Sequence, residues 1–130
     1  MKPVDQTTFG DGLGNCFSAC VASILHLAID DVPFFGADSL WFQRFADWLA
    51  PLGFYPMCIQ YNSEHVPVGF YILGGKSPRG DFLHAVVANG RTIVHDPHPS
   101  RDELGSRVDC TVIIPMDPSE FTRVADDRRA

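Results

Sequence analysis

Apolar residues recur along this chain in two rhythms. Between positions 16 and 28, Ala19, Val21, Ala22, Ile24, Leu25 and Ala28 leave almost no polar face, which predicts a largely buried helix. Its predicted stop is Asp30-Asp31-Val32-Pro33, because the residue before a proline is driven out of helical geometry. A second helix, capped by Asp38 or Ser39 and running to about Ala50, carries Leu40, Trp41, Phe45, Trp48 and Leu49 at helical spacing. That stripe reads as core packing against the first helix, and Pro51-Leu52-Gly53 closes it. From Phe54 onward the rhythm shortens to that of strands, predicted over residues 54–61, 68–73, 82–88, 91–95 and 108–114. Asn89-Gly90 between the third and fourth of these is a hairpin signal. Helices followed by an antiparallel meander make an α+β layout. A single domain is expected over residues 1–118, with a C-terminal tail over 119–130.

Composition narrows the function classes. With 45% hydrophobic and 20% charged residues, the 130-residue chain is expected to bury one core and to be globular. The formal net charge is −6 and no basic stripe stands out, which argues against nucleic-acid binding. No apolar run approaches a membrane span, and the polar segment Met1-Lys2-Pro3-Val4-Asp5-Gln6 lacks the apolar core of a signal peptide. The four cysteines, Cys16, Cys20, Cys58 and Cys110, follow no CxxC spacing and are expected to be reduced thiols in a cytoplasmic protein. Of these, Cys20 reads as a packed thiol one turn from Cys16, and Cys58 and Cys110 as strand-core residues.

Candidate chemistry starts at Gly14-Asn15-Cys16, a loop that runs directly into the first helix. A helix N-terminus presents unpaired N–H groups and a partial positive charge, both of which favour a thiolate. A nucleophilic cysteine needs a base within reach and a group that orients the base. His26 is ten residues along the same helix, about 15 Å away at 1.5 Å per residue, and His65 lies in a loop. His84 begins the apolar run Ala85-Val86-Val87-Ala88, where packing would hold an imidazole, and is the best base. Asp96 is the natural orienter, subject to the parity of the hairpin. A two-residue Asn89-Gly90 turn pairs residue 84 with 95 and puts Asp96 on the opposite face. A three-residue loop over Ala88-Asn89-Gly90 pairs 84 with 94 and sets Asp96 diagonally beside His84. The triad therefore demands the three-residue loop. Two other glycine patterns, Gly10-Gly12-Gly14 and Gly74-Gly75-Lys76-Ser77, lack the strand or helix context of a nucleotide-binding loop.

The order Gln6, Asn15-Cys16-Phe17-Ser18-Ala19-Cys20, His84-Ala85-Val86-Val87 and Ile93-Val94-His95-Asp96-Pro97 resembles the papain-like cysteine peptidases, over roughly residues 6–97. Within them it is most similar to the branch that processes bacteriocins at double-glycine leaders. The resemblance implies a papain-like fold, with N-terminal helices packed on an antiparallel sheet. It implies Cys16 as nucleophile, His84 as general base and acid, and Asp96 as orienter. Gln6 and the Cys16 backbone N–H would hold the oxyanion. It also implies no metal and no organic cofactor, and a peptide or other amide-containing substrate. Two positions depart from the pattern: Asn15 stands where Asp is usual, and Phe17 replaces the glycine after the nucleophile, narrowing the site beside the sulfur. Phe17 and Trp41, with Phe34 and Phe35, are candidates to line an apolar substrate subsite.

Other readings of the same residues remain. His84, His95, Asp96 and His98 could form a metal site, although His95 and Asp96 point to opposite faces of a regular strand. A binding or assembly module could retain the triad behind a cleft closed by Phe17. The same triad also serves an acyltransferase or cyclotransferase, and the sequence does not choose between water and another acceptor. Nor does it indicate an oligomeric state.

Overall fold

The computed structural model describes residues 1–117 and shows an α+β architecture, two helices packed on one face of a five-stranded sheet. The predicted tail over 119–130 lies outside the described residues. Helix α1 spans Cys16–Leu25 and lies against strands β2 (Phe70–Lys76) and β3 (Leu83–Asn89). Every residue from Ser18 to Ile24 is buried, as the near absence of a polar face requires. Its two buried serines are satisfied locally. Ser18 Oγ donates to Pro33 O at 2.7 Å, and Ser23 Oγ donates to Ala19 O at 2.8 Å while accepting from Val4 N–H at 2.9 Å. The second of these lays the N-terminal arm along the helix.

The helix is three residues shorter than its apolar pattern predicts. His26 adopts the left-handed conformation at φ 59°, and both its N–H and that of Leu27 return to Ala22 O, so the last turn is capped before the proline is reached. Helix α2 (Trp41–Leu49) also starts later than expected. Asp38 stays outside it, using its carboxylate to accept from Leu40 N–H at 3.0 Å and to pair with Arg44 at 2.7 Å. Leu40 is consequently exposed rather than part of the stripe, while Phe45 and Leu49 are fully buried. The remaining aromatics interlock edge to face. Phe17 of α1 meets Phe35, Trp41 and Phe45 at centroid distances of 6.1, 5.3 and 5.0 Å, and Phe35 meets Trp48 at 5.5 Å.

The strands fall where the short rhythm places them, but they do not form a simple meander. With β1 (Phe54–Gln60), β4 (Thr92–His95) and β5 (Asp109–Pro115), the sheet runs β1-β5-β2-β3-β4, each neighbour antiparallel. The last strand inserts between the first two, which leaves β1 at an edge. Cys58 is therefore exposed, contrary to its expected place in the core, whereas Cys110 at the sheet centre is buried. Alternation divides the apolar strand residues between two faces. Phe70, Ile72, Ala85, Val87 and Ile113 meet the helices, while Tyr71, Leu73, Val86, Ala88 and Cys110 form a second cluster closed by Tyr61, Ile93, Leu104 and Val112. No helix among the described residues is long and apolar enough to cross a membrane.

Candidate active site

Cys16 is the first residue of α1, so its N–H has no acceptor within the helix. Asn15 before it does not cap α1 with its side chain. Instead its Oδ1 accepts from Thr7 N–H and Thr8 N–H at 2.9 and 3.0 Å, and its Nδ2 donates to Thr7 Oγ1 at 2.9 Å. An aspartate here could make the first two bonds, and the third only with the Thr7 hydroxyl as donor. Asn15 thereby ties the segment carrying Gln6 to the start of the helix, a role its reading as a mere departure missed.

The hairpin of β3 and β4 follows neither register predicted from Asn89-Gly90. Asn89 pairs with Thr92, so the two-residue loop is Gly90-Arg91, with Gly90 at φ 61°. A glycine in the first loop position at positive φ suits a type II′ turn. Ala88 then pairs with Ile93, but Val87 pairs with His95, leaving Val94 as an extra residue in a bulge. Continued without the bulge, the ladder would set Asp96 opposite Ala85, on the face away from His84. The extra residue reverses that parity. His84 and Asp96 meet, Nε2 to Oδ1, at 2.7 Å, so the three-residue loop is not needed for the pairing.

Both partners are buried, each 3% exposed. The chain wraps around the Asp96 carboxylate: Oδ1 also accepts from His98 N–H at 2.9 Å and Oδ2 from Glu103 N–H at 2.8 Å. Burial disfavours the charged carboxylate, but the His84 hydrogen bond and these two amides outweigh it and hold its pKa at about 2. An ionised carboxylate only accepts, so His84 Nε2 carries a proton. Cys16 lines the same cavity as His84 and also favours the charged form of the ring. With Nε2 committed to Asp96, Nδ1 is the nitrogen left for the sulfur. Burial of the ring opposes its charge, yet Asp96 and Cys16 prevail and push the His84 pKa up to about 9. The ring is an imidazolium at neutral pH.

Gln6 is held beside them. Its N–H donates to Pro97 O at 3.0 Å, which fastens the N-terminal arm to the loop after Asp96, and its Nε2 donates to Thr8 O at 3.0 Å. That uses one of the two amide hydrogens. The side-chain Oε1 is buried with no hydrogen-bond partner. Arg101, which sequence reasoning passed over, reinforces the same junction. Its guanidinium grips the Asp5 carboxylate at 2.7 and 2.8 Å and donates to the Asp96 and His98 carbonyls. Arg101 and Glu103 both sit at positive φ, a loop conformation that no local motif announces.

A cavity of about 470 Å³ opens beside these groups, with Gln6, Cys16 and His84 in its lining together with Phe17, Phe35 and Trp41. Phe17 does not close it, because its ring is directed into the aromatic cluster. Of the other histidines, His98 lines the same cavity. His95 turns to Val4 O at 2.9 Å and Asp5 at 3.3 Å, and His65 is exposed. His98 lies edge to face with His84 at 6.2 Å, accepting from Ser100 N–H at Nδ1. Among the described residues no group of three His, Cys, Asp or Glu side chains is placed to hold a metal ion. Cys20 is fully buried, which pushes its thiol well above the ordinary range. Compared with protein-family models, with curated proteins and with solved structures, the chain finds no match.

Proposed function

We propose that this protein is a papain-like cysteine hydrolase that cleaves an amide or peptide bond through a thioester. The observation that carries the reading is the grouping of Cys16, His84 and Asp96, in which a buried carboxylate holds one imidazole nitrogen at 2.7 Å and the same ring lines a cavity together with a cysteine at a helix N-terminus. An imidazolium in that position stabilises a thiolate. The thiolate attacks the carbonyl carbon, and the electron pair of the C=O bond moves to oxygen. The Cys16 N–H and the second amide hydrogen of Gln6 stabilise that oxyanion. Collapse breaks the C–N bond as His84 gives its Nδ1 proton to the leaving amine. His84, now neutral, takes a proton from water, whose oxygen attacks the thioester. Release of the acid restores thiolate and imidazolium.

The chain contains its own control. Cys58 is exposed on the edge strand β1, where its sulfur accepts from Thr111 Oγ1 at 3.8 Å. Alkylation by iodoacetamide, followed by mass spectrometry of the labelled peptides, is expected to modify Cys16 on the order of a hundred times faster than Cys58 near pH 7. The fast phase disappears in Cys16→Ala and slows in His84→Ala. Equal rates at the two cysteines would refute the hydrolase reading and leave a silent binding module.

A further inference from the structure

The cavity beside Cys16 carries two carboxylates that the proposed chemistry does not use, the exposed Asp11 and the half-buried Asp109. Ala85, Gly74 and Asp109 are cross-strand partners in β3, β2 and β5 and stand in one row on one face of the sheet. A Cβ on Gly74 would lie 2.3 Å from Asp109 Oδ1, so the missing side chain is what allows the carboxylate to lie over β2 toward the strand of His84. Gly74, Ala85 and Asp109 all line the cavity. No hydrogen bond or ion pair engages the Asp109 side chain among the described residues, and burial raises its pKa with no cation to offset it. Arg79 also lines the cavity, but Ser100 Oγ holds its guanidinium at 3.0 Å and its charge acts on His98 instead. A half-buried carboxylate without a partner is costly unless a ligand brings one. Phe34, Phe35 and Trp41 line the same cavity, apolar surface suited to the methylene stem of a long cationic side chain and, at the rings, to its charge.

We propose that Asp109 makes this cavity selective for substrates with a lysine- or arginine-type side chain on the acyl side of the bond that Cys16 attacks. This rests on Cys16 being the nucleophile, so the test reads binding and chemistry separately. The probes are acetyl-Gly-Lys and acetyl-Lys-Gly chloromethyl ketones, each with its norleucine counterpart, which keeps the stem and removes the charge. In the wild type, one lysyl ketone is expected to inactivate Cys16 at least about tenfold faster than its counterpart. The ratio falls to near one in Asp109→Asn and survives in Asp109→Glu. In parallel, NMR titration of Cys16→Ser protein with acetyl-Gly-Lys and acetyl-Lys-Gly amides and their norleucine counterparts is expected to show the same preference, lost when Asp109→Asn is added. Equal rates for both ketone pairs in labelled wild-type protein, or a preference that survives Asp109→Asn, would overturn the role of Asp109. Absence of any labelling faster than at Cys58 overturns the hydrolase reading instead. The titration then decides Asp109 alone: a lysine preference lost on Asp109→Asn supports it, and equal shifts for the lysine and norleucine amides reject it.

Discussion

Replacing Asp96 by asparagine keeps its shape and removes its charge, and the structure predicts a loss of stability that depends on pH. Three donors converge on the carboxylate: His84 Nε2, His98 N–H and Glu103 N–H. An amide offers one acceptor oxygen, so at least one of these N–H groups loses its partner in Asp96→Asn, at a cost of about 1 kcal/mol at any pH. A second part comes only from the proton on His84. Its folded-state pKa of about 9 stands above the ordinary 6.5, so the stability it confers is complete below pH 6.5 and disappears as pH rises through 9. Converted at 1.36 kcal/mol per unit, that shift is about 3 kcal/mol. Cys16 supplies some of it and remains in the variant, so about 2 kcal/mol is the share expected to vanish. The acid limb describes the same pair, with Asp96 held at about 2 against an ordinary 3.8, and is not added again. Urea unfolding of wild type and Asp96→Asn near pH 6 and near pH 10 separates the two parts, since the unpaired amide counts equally at both. The destabilisation near pH 6 should exceed that near pH 10 by about 2 kcal/mol. Equal values at both would show that His84 is not held as an imidazolium, and the thiolate–imidazolium pair would fall with it.

Two further outcomes follow from the packing. Deleting Val94 takes the extra residue out of the ladder while His95 stays opposite Val87 and Asp96 keeps its face, so alkylation of Cys16 should stay near the wild-type rate, and a loss of the fast phase would refute this register. Phe17→Ala removes a part-buried ring with three edge-on partners, which predicts about 2–3 kcal/mol of destabilisation in urea with the alkylation rate of Cys16 little changed.

The elements of this fold are legible in the chain because each is a local matter. A helix without a polar face must be buried, and short β-branched runs bounded by glycine and proline make strands. Pairing is not local, and β5 shows it. Nothing within residues 108–114 tells that this strand inserts between β1 and β2, which is what exposes Cys58 and brings Asp109 beside Gly74. The candidate site divides the same way. Cys16 at a helix start and His84 in an apolar strand carry their signals with them. The union of His84 with Asp96 depends on whether one valine among Thr92-Ile93-Val94-His95 is counted in the ladder, and strand propensity is equally content with either answer.

What selects the bulge lies outside the hairpin. With Val94 looped out, the His95 ring reaches Val4 O in the N-terminal arm, and Asp96 turns into the three donors that surround it. In the regular ladder His95 and Asp96 would exchange faces, and a carboxylate now almost wholly buried would leave every one of those donors unpaired. One irregular residue in the strand is the smaller cost, because the backbone groups it frees are few and the charge it places is fully bonded. The reading that failed here was strict alternation. It failed at the one position where a buried charge outweighs the ladder.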